Sequence, residues 1–397
     1  MKVTENDIGQ EGLGNGGKII VFIFLLLIIA GTATVAYLKS QDVDLKSISL
    51  KDVIDRSFIK RNTKYQLSTA EFDYDANLNV DFGTHKGYIV KCSRDNLIYL
   101  DSNANEQWTY PLSLNNPVLK TSGSYLLVAD YGAKSILTFS GKEMRWEKEL
   151  DNNITNADIN SKGYVTVVHG EERSRGAVSV YNRQGMNCFT IGKAENFILS
   201  SKVSSKAKSA IINSVDTSGI SVNTLLEFTD LNGKMLDNKI IKENTVFPSI
   251  WFMENDSLLV VGDSMFMILD KDFNEKLHQS VKGKIFSSCI SDGKYAVVAA
   301  NPEETTGIFE SGSSGIWVYD TEGQKISEYN LKGEVRNINS YDDIIAVNSG
   351  NKLRFIDLGG ELLAEYSSSE DIKEVFFISR REVLAICKDK FLVIKMK

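Results

Sequence analysis

Residues that commonly carry catalysis or bind metal ions are few and widely spaced in this chain. They are His85, His169, His278, Cys92, Cys188, Cys289 and Cys387. Without a CxxC pair the cysteines cannot form a zinc ribbon. The sequence also lacks the GxSxG, HExxH and Walker A patterns of hydrolases, metalloproteases and nucleotide-binding enzymes. We therefore predict a protein that is not an enzyme and holds no metal or cofactor.

The same residues fit structural roles. Each isolated histidine is expected to be a solvated loop residue. Cys92 and Cys387 lie in apolar, strand-like stretches, which favours buried thiols that act as small hydrophobic side chains, with a disulfide as the alternative. The glycine-rich stretch 12–17 precedes an apolar run instead of following a strand, so it does not predict a phosphate loop.

The charge balance argues against nucleic-acid binding. The net charge is −7 and the sequence pI is about 5.3, whereas affinity for phosphate backbones requires clustered lysine and arginine. We predict no nucleic-acid partner.

A single apolar segment lies near the start of the chain. Between Lys18 and Lys39 there are 20 uncharged, mostly apolar residues, enough for a helix across a hydrocarbon layer about 30 Å thick. We predict a short cytoplasmic tail at 1–18 and an uncleaved transmembrane helix at 19–38. A cleaved signal peptide is the alternative, because the TVA at 34–36 resembles a cleavage site.

Charge does not decide how this segment is oriented. More lysine and arginine follows it than precedes it, so the positive-inside rule leans against an external domain. Residues 39–63 are predicted as a linker, which could be an amphipathic juxtamembrane helix or a flexible stalk.

From residue 64 to the C-terminus the chain is predicted to repeat one unit. Short apolar runs begin at Tyr88, Tyr125, Tyr164, Ser209, Ser257, Tyr295, Asp343 and Glu382. They are 37 to 48 residues apart, and each of the first seven is followed by a hairpin with a turn rich in Asp, Asn and Gly. Periods near 40 with about four strands each indicate a β-propeller. We predict an all-β domain of eight four-stranded blades, with seven as the fallback.

The last repeat lacks an outer strand, and an unassigned strand exists at 65–73. Pairing the two would close the ring and remove two exposed sheet edges. We therefore predict that this N-terminal strand completes the last blade.

The first two hairpins resemble the repeat of pyrroloquinoline-quinone-type propellers, in which a tryptophan docks between neighbouring blades. Trp108 and Trp146 match that tryptophan, and Phe189, Leu236, Leu277 and Leu362 are the expected replacements in later blades. Together with the apolar segment, the stretch from Asn115 to Phe139 resembles an uncharacterised bacterial family of membrane-anchored propellers. This resemblance implies a propeller outside the cell, held by one span. It implies no activity.

The predicted connections between the second and third strands of blades three, four and six are long, which suggests a binding face because rigid scaffolds carry function on loops. The candidate partner-binding residues are His169, Glu171, Glu172, Arg173, Arg175, Asp216, Glu303, Glu304, Phe309 and Glu310. Mixed charge with one aromatic suits a protein or a basic polymer.

We therefore expect a non-catalytic scaffold that binds an envelope protein or polymer. The alternatives are a domain that binds or senses a small molecule at the cell surface and a quinoprotein-type enzyme.

Overall fold

A computed structural model describes residues 63–242, 245–302 and 313–397. The described secondary structure consists entirely of strands, arranged in eight four-stranded antiparallel sheets. The first described strand is β1 (Leu67–Asp73).

Blade 1 contains β2 (Asp81–His85), β3 (Tyr88–Cys92), β4 (Asn96–Leu100) and β5 (Glu106–Pro111). Blade 2 contains β6 (Pro117–Ser122), β7 (Tyr125–Asp130), β8 (Ser135–Ser140) and β9 (Glu143–Glu149). Blade 3 contains β10 (Ile154–Ile159), β11 (Val165–His169), β12 (Ala177–Tyr181) and β13 (Asn187–Gly192). Blade 4 contains β14 (Phe197–Val203), β15 (Ser209–Asp216), β16 (Asn223–Asp230) and β17 (Met235–Ile241).

Blade 5 contains β18 (Ser249–Phe252), β19 (Leu258–Val261), β20 (Met265–Leu269) and β21 (Glu275–Ser280). Blade 6 contains β22 (Gly283–Ser291), β23 (Tyr295–Pro302), β24 (Ser313–Tyr319) and β25 (Lys325–Lys332). Blade 7 contains β26 (Asn337–Tyr341), β27 (Ile344–Asn348), β28 (Lys352–Asp357) and β29 (Leu362–Ser367). Blade 8 contains β30 (Glu374–Ser379), β31 (Glu382–Ile386), β32 (Lys390–Met396) and β1.

The predicted eight-bladed propeller is confirmed. The second strand of every blade begins within one residue of the start that the repeat predicted. Apolar side chains of neighbouring sheets form shared clusters, such as the one that joins Leu127 and Trp146 of blade 2 to Ile154 and Val167 of blade 3. The core is therefore a ring of inter-sheet layers.

The N-terminal strand closes the ring, as predicted. β1 pairs antiparallel with β32 from Leu67↔Met396 to Asp73↔Lys390. Gln66 and Lys397 extend the ladder by exchanging backbone hydrogen bonds of 3.2 and 2.8 Å. The first and last strands of the domain thus form one half of a single sheet.

The strand order defines two faces. The turns between first and second strands and between third and fourth strands lie at one end of every sheet, here named the turn face. The connections between second and third strands and between successive blades lie at the other end, named the loop face. The innermost strands surround the axis, and β1 begins on the turn face.

Most of the third-to-fourth-strand turns share one local geometry. An Asp or Asn accepts backbone hydrogen bonds from residues two and four positions later, as Asp230 does from Asn232 and Lys234 at 2.9 and 2.8 Å. The residue three positions later has positive φ, which glycine adopts without strain, as in Gly233 at φ 82°. These hydrogen bonds hold the pKa of Asp230 below its usual range.

Seven positions after the Asp or Asn, a side chain of the outer strand packs on the turn glycine of the next blade. Phe189, seven after Asn182, lies over Gly233 of blade 4, where an added Cβ would stand 2.9 Å from the Phe189 Cβ. Leu277 makes the same contact with Gly323 at 2.8 Å. In blade 2, whose turn is shorter, Trp146 lies over Gly185 in the same way at 2.8 Å. The glycine therefore serves the turn and the inter-blade contact together.

In two blades, the residue expected to replace the docking tryptophan was the wrong one. The strand register places Asp237 and Ala364 at this position, opposite Phe228 and Phe355, instead of Leu236 and Leu362. Leu236 is exposed. The reason is a β-bulge between the third and fourth strands, which adds a residue to the outer strand and shifts the side chain that faces inward.

The contact between blades 4 and 5 is reversed. Asp237 is exposed, and the turn of blade 5 carries Phe273 with φ 66° where the turns of blades 3, 4, 6 and 7 have glycine. Blade 1 is the other exception, with Ala104 at φ 61°. The Phe273 ring stacks on Phe228 of blade 4 with a centroid distance of 3.5 Å. The following blade thus supplies the aromatic ring that the preceding blade lacks.

Removing the closing strand is expected to break cooperativity. A domain starting at Thr63 should melt in one sharp transition, whereas one starting at Asn77 leaves both β32 and the turn of blade 1 uncovered and should aggregate or melt broadly. Scanning calorimetry with light scattering provides the measurement. Equal melting of the two domains would contradict the closure.

Moving the aromatic ring from the turn of blade 5 to the outer strand of blade 4, with a glycine in that turn, should recreate the contact between the two blades. The double variant should therefore be more stable than the variant that only loses the ring. Phe273→Gly alone should cost roughly 2 kcal/mol, because lost aromatic packing outweighs the relief of positive φ. Adding Asp237→Trp recreates the arrangement of Trp146 and Gly185 and should recover at least about 1 kcal/mol. Urea unfolding measures both, with Asp237→Ala in the Phe273→Gly background as the matched control. Additive effects of the two changes would refute the exchange.

Candidate interaction face

The first long connection on the loop face, 170–176, follows β11. His169 is half-buried, and its ring lies 2.7 Å from the Gly170 carbonyl through Nδ1 and 2.8 Å from the Ser179 hydroxyl through Nε2. Both ring nitrogens therefore have partners within blade 3. Glu171, Glu172 and Arg173 are exposed around a tight turn in which Arg173 has φ 64°.

Arg175 connects blades 3 and 4. Its guanidinium lies 4.4 Å from the centroid of the Phe197 ring, at the start of the innermost strand of blade 4. Phe197 is nevertheless 48% exposed. Arginine stacked on an aromatic ring is held in place without losing its hydrogen-bonding capacity.

Asp216 is a second charged residue of the loop face, and it interacts with Arg175. The Ser218 hydroxyl and backbone N–H donate to its carboxylate at 2.7 and 2.9 Å. These hydrogen bonds, together with the positive charge of Arg175, hold the pKa of Asp216 below its usual range. The structure thus brings the opposite charges of Arg175 and Asp216 together beside the exposed Phe197 ring.

Sequence reasoning missed the apolar part of this face. The large apolar side chains exposed on the described part of the loop face include Leu78, Phe197, Ile220, Val246 and Phe286. All but Leu78 belong to blades 4 to 6. Phe197 and Phe286 lie on innermost strands, where the alternation of the sequence resembles that of buried strands, so only the position near a strand start could have indicated exposure.

Hydrogen bonds link the loops that carry these side chains. Thr224 donates to the Thr245 carbonyl at 3.2 Å, and the Thr245 hydroxyl donates to Asp263 at 2.9 Å. The Ile285 N–H donates to the Asp263 carbonyl at 2.6 Å. Arg175, Phe197, Ile220, Val246 and Phe286 thus all lie on the loop face of blades 3 to 6, and this set is here named the apolar arc. Glu303, Glu304, Phe309 and Glu310 lie outside the described residues.

The axis contains a polar cavity of about 680 Å³ that opens toward the turn face. Asp158 and Lys202 form an ion pair of 2.9 Å on its wall. The Lys202 ammonium also lies 5.1 Å from the centroid of the Trp251 ring, and the Trp251 indole donates to Ser288 at 3.0 Å. These contacts fix the polar wall in one arrangement.

The histidines differ from the expectation of solvated loops. His85 is only 3% exposed at the end of β2, and burial lowers its pKa, so the neutral ring pairs with the Tyr99 hydroxyl at 2.8 Å. His278 lies within β21. The four cysteines are free, and Cys92 and Cys387 are buried as predicted.

Two kinds of feature are absent from the described residues. These residues contain no group of three or more His, Cys, Asp or Glu side chains arranged to hold a metal ion. They also contain no helix that is long and apolar enough to span a membrane. The predicted span 19–38 and the linker up to residue 62 lie outside the described residues.

Residues 60–396 match the model of the family of unknown function DUF5711. The chain belongs to this family. No curated protein matches the sequence.

Three solved structures with the same fold are distant from this chain in sequence. BamB from Moraxella catarrhalis is 11% identical with a TM-score of 0.53, over 83% of this chain and 100% of that one. The C-terminal WD40 domain of Sif2 is 10% identical with a TM-score of 0.61, over 83% and 98%. Chaetomium thermophilum Sqt1, bound to the N-terminus of ribosomal protein L10, is 13% identical with a TM-score of 0.55, over 82% and 99%.

A propeller of similar fold is also found in an enzyme, the dihydro-heme d1 dehydrogenase NirN, at 14% identity and a TM-score of 0.53. At these identities the likeness establishes the fold alone, since one fold hosts many functions.

Proposed function

We propose that this DUF5711 protein is a membrane-anchored, extracytoplasmic scaffold whose loop face binds another protein of the cell envelope. The observation that carries the proposal is the apolar arc, in which Arg175 stacks on the exposed Phe197 ring beside further exposed apolar side chains. Binding energy at protein interfaces concentrates in aromatic and arginine side chains of this kind.

Several features support a protein partner. The arc combines apolar surface with Arg175, Asp216 and the charged turn at Glu171, and such mixed surfaces are typical of interfaces between proteins. Part of the arc is already ordered by hydrogen bonds within the ring, which lowers the entropy lost on binding. The complex of Sqt1 with the N-terminus of ribosomal protein L10 is an example of a similar propeller with a protein segment bound.

The localisation rests on the apolar segment at 19–38 and on the family resemblance. With the tail at 1–18 inside, the propeller lies outside the cytoplasmic membrane. Because β1 begins on the turn face, the chain enters the propeller at the end opposite the loop face.

A second candidate function is the binding of a small molecule in the axial cavity, which Asp158, Lys202, Asn339 and the Trp251 ring line with polar and aromatic groups. Concave sites with a few fixed polar groups are typical of ligand binding.

Site-specific photocrosslinking tests the scaffold. A photoreactive amino acid in place of Phe197 should give a discrete adduct in intact cells, because this ring is expected at the centre of the interface. Arg175→Glu in the same protein should reduce the adduct at least tenfold. The matched control places the photoreactive residue at Met144, a comparably exposed position on the outer strand of blade 2. Equal labelling from both positions, or none from Phe197, would overturn the loop-face scaffold and favour the small-molecule function.

Protease accessibility tests the localisation. Protease added to intact cells stripped of their wall should remove a C-terminal epitope placed after Lys397, since the propeller is expected outside. Protection until the cells are lysed would reverse the orientation.

A further inference from the structure

Six innermost strands each place one side chain at the same height along the axis. Each of these residues pairs, in the strand register, with the residue two positions after the start of the apolar run of its blade, as Lys120 does with Leu127 and Trp251 with Leu259. The set, here named the axial layer, consists of Lys120, Asp158, Lys202, Trp251, Ser340 and Phe376. All six line the axial cavity of about 680 Å³, a size typical of ligand sites. A molecule in the cavity would thus lie among side chains of blades 2 to 5, 7 and 8.

The charges of the axial layer are compensated within the protein. The Lys202 ammonium donates to Asp158 Oδ1 at 2.9 Å. Lys120 acts on the Asp81 and Glu374 carboxyl groups of blades 1 and 8: burial raises the pKa of both, and the positive charge of Lys120 partly offsets that effect. A charged ligand would therefore compete with existing pairs or bring in a charge that has no partner.

The same groups have hydrogen-bonding capacity to spare. An ammonium group has three donors and a carboxylate has about four acceptor positions, and the ion pair uses one of each. Asp158 Oδ2 accepts no hydrogen bond from the described residues, and the Asn339 amide on the cavity wall has no hydrogen-bond partner among them. The wall can therefore both donate to a ligand and accept from it without breaking the pair of Asp158 and Lys202.

Two aromatic rings complete the axial layer. The Trp251 indole donates to the Ser288 hydroxyl at 3.0 Å, and the Lys202 ammonium lies 5.1 Å from the ring centroid, so the indole is held in place. Phe376 of blade 8 packs on the apolar cluster that contains Phe82. Both rings are only partly buried. They therefore offer apolar surface on which the C–H groups of a ligand can pack.

A neutral sugar combines the two features that such a wall recognises. Its hydroxyl groups donate and accept hydrogen bonds around the ring and carry no charge, while its faces present C–H groups. Hydrogen bonds to the wall replace those to water, so they contribute mainly selectivity. Packing on Trp251 and Phe376 removes apolar surface from water and contributes affinity.

We propose that the axial cavity is a binding site for a neutral sugar, with its hydroxyl groups on the polar side chains of the wall and a C–H face on Trp251 or Phe376. The proposal gives the ligand class of the second candidate function and rests on it. Binding is almost independent of salt, because the ligand brings no charge that salt could screen.

Saturation-transfer NMR tests the proposal on the full chain in phosphatidylcholine nanodiscs, which contain no sugar. The neutral probes are cellobiose, maltose and diacetylchitobiose. The charged probes are cellobionate, an anion, and deacetylated chitobiose, a cation. Titration gives the affinity for each probe at low salt and at about 0.5 M salt.

We expect at least one neutral probe to bind, with an affinity that salt changes less than twofold, and both charged probes to bind at least fivefold more weakly. Asp158→Asn should weaken the binding of the neutral probe at least tenfold, because it removes the acceptor and leaves Lys202 without its partner. Trp251→Leu should weaken it at least fivefold through lost packing. The matched control is Asp237→Asn, the same change at an exposed position of the outer strand of blade 4, which should leave binding unchanged. Unchanged melting shows that each variant is folded.

Binding by no neutral probe, or equal binding to the Asp158→Asn and Asp237→Asn variants, would overturn the sugar site. Charged probes that bind more tightly than neutral ones, and that salt displaces, would overturn it as well. If Asp158→Asn abolishes the binding of those charged probes, the small-molecule function stands and only the ligand class is wrong.

The test is independent of the loop-face scaffold. The crosslink from the Phe197 position lies at the other end of the propeller and should persist in the Asp158→Asn variant. Loss of sugar binding with an unchanged crosslink therefore separates the two functions.

Discussion

The backbone pairing between β1 and β32 is the interaction on which the rest of the structure depends. An open array of eight sheets would expose strand edges and the apolar side of the two terminal blades. With seven paired residues and the Gln66–Lys397 hydrogen bonds, the ring has no free end. Each blade can then be held between two neighbours, and the loops of both faces are fixed relative to one another.

Between the blades, the same position is filled by different chemistry around the ring. Trp146 and Phe189 place large rings on a turn glycine, Leu277 places a smaller side chain there, and Ser327 instead donates a hydrogen bond to the Leu358 carbonyl at 2.6 Å. Phe273 fills the gap from the opposite direction. What is retained is contact across the gap between blades, because an empty gap would lose packing energy along the whole sheet.

The sequence was sufficient to predict the propeller, the number of blades and the closing strand, because all three follow from the spacing of apolar runs. It placed Trp108 and Trp146 on outer strands, and Trp108 does pack against Phe139 of the next blade. It failed where a bulge shifts the register, so that Asp237 and Ala364 replace the expected leucines. It also failed for His85 and Phe197, since burial at a strand end depends on the neighbouring blades. The apolar arc arises only when residues far apart in the chain are arranged in a ring.

Closure by the two ends of the chain also sets the order in which the molecule can be completed. Lys390 and Glu71, which form an ion pair of 3.0 Å in the last blade, are 319 residues apart in the chain. At ribosomal rates of about 5–20 residues per second, roughly 15 to 60 seconds pass between the synthesis of the first strand and the synthesis of its partner. During that interval seven blades can form in order while the eighth stays incomplete. A chain cut short near its C-terminus would lose its ring even if every earlier blade had been made correctly.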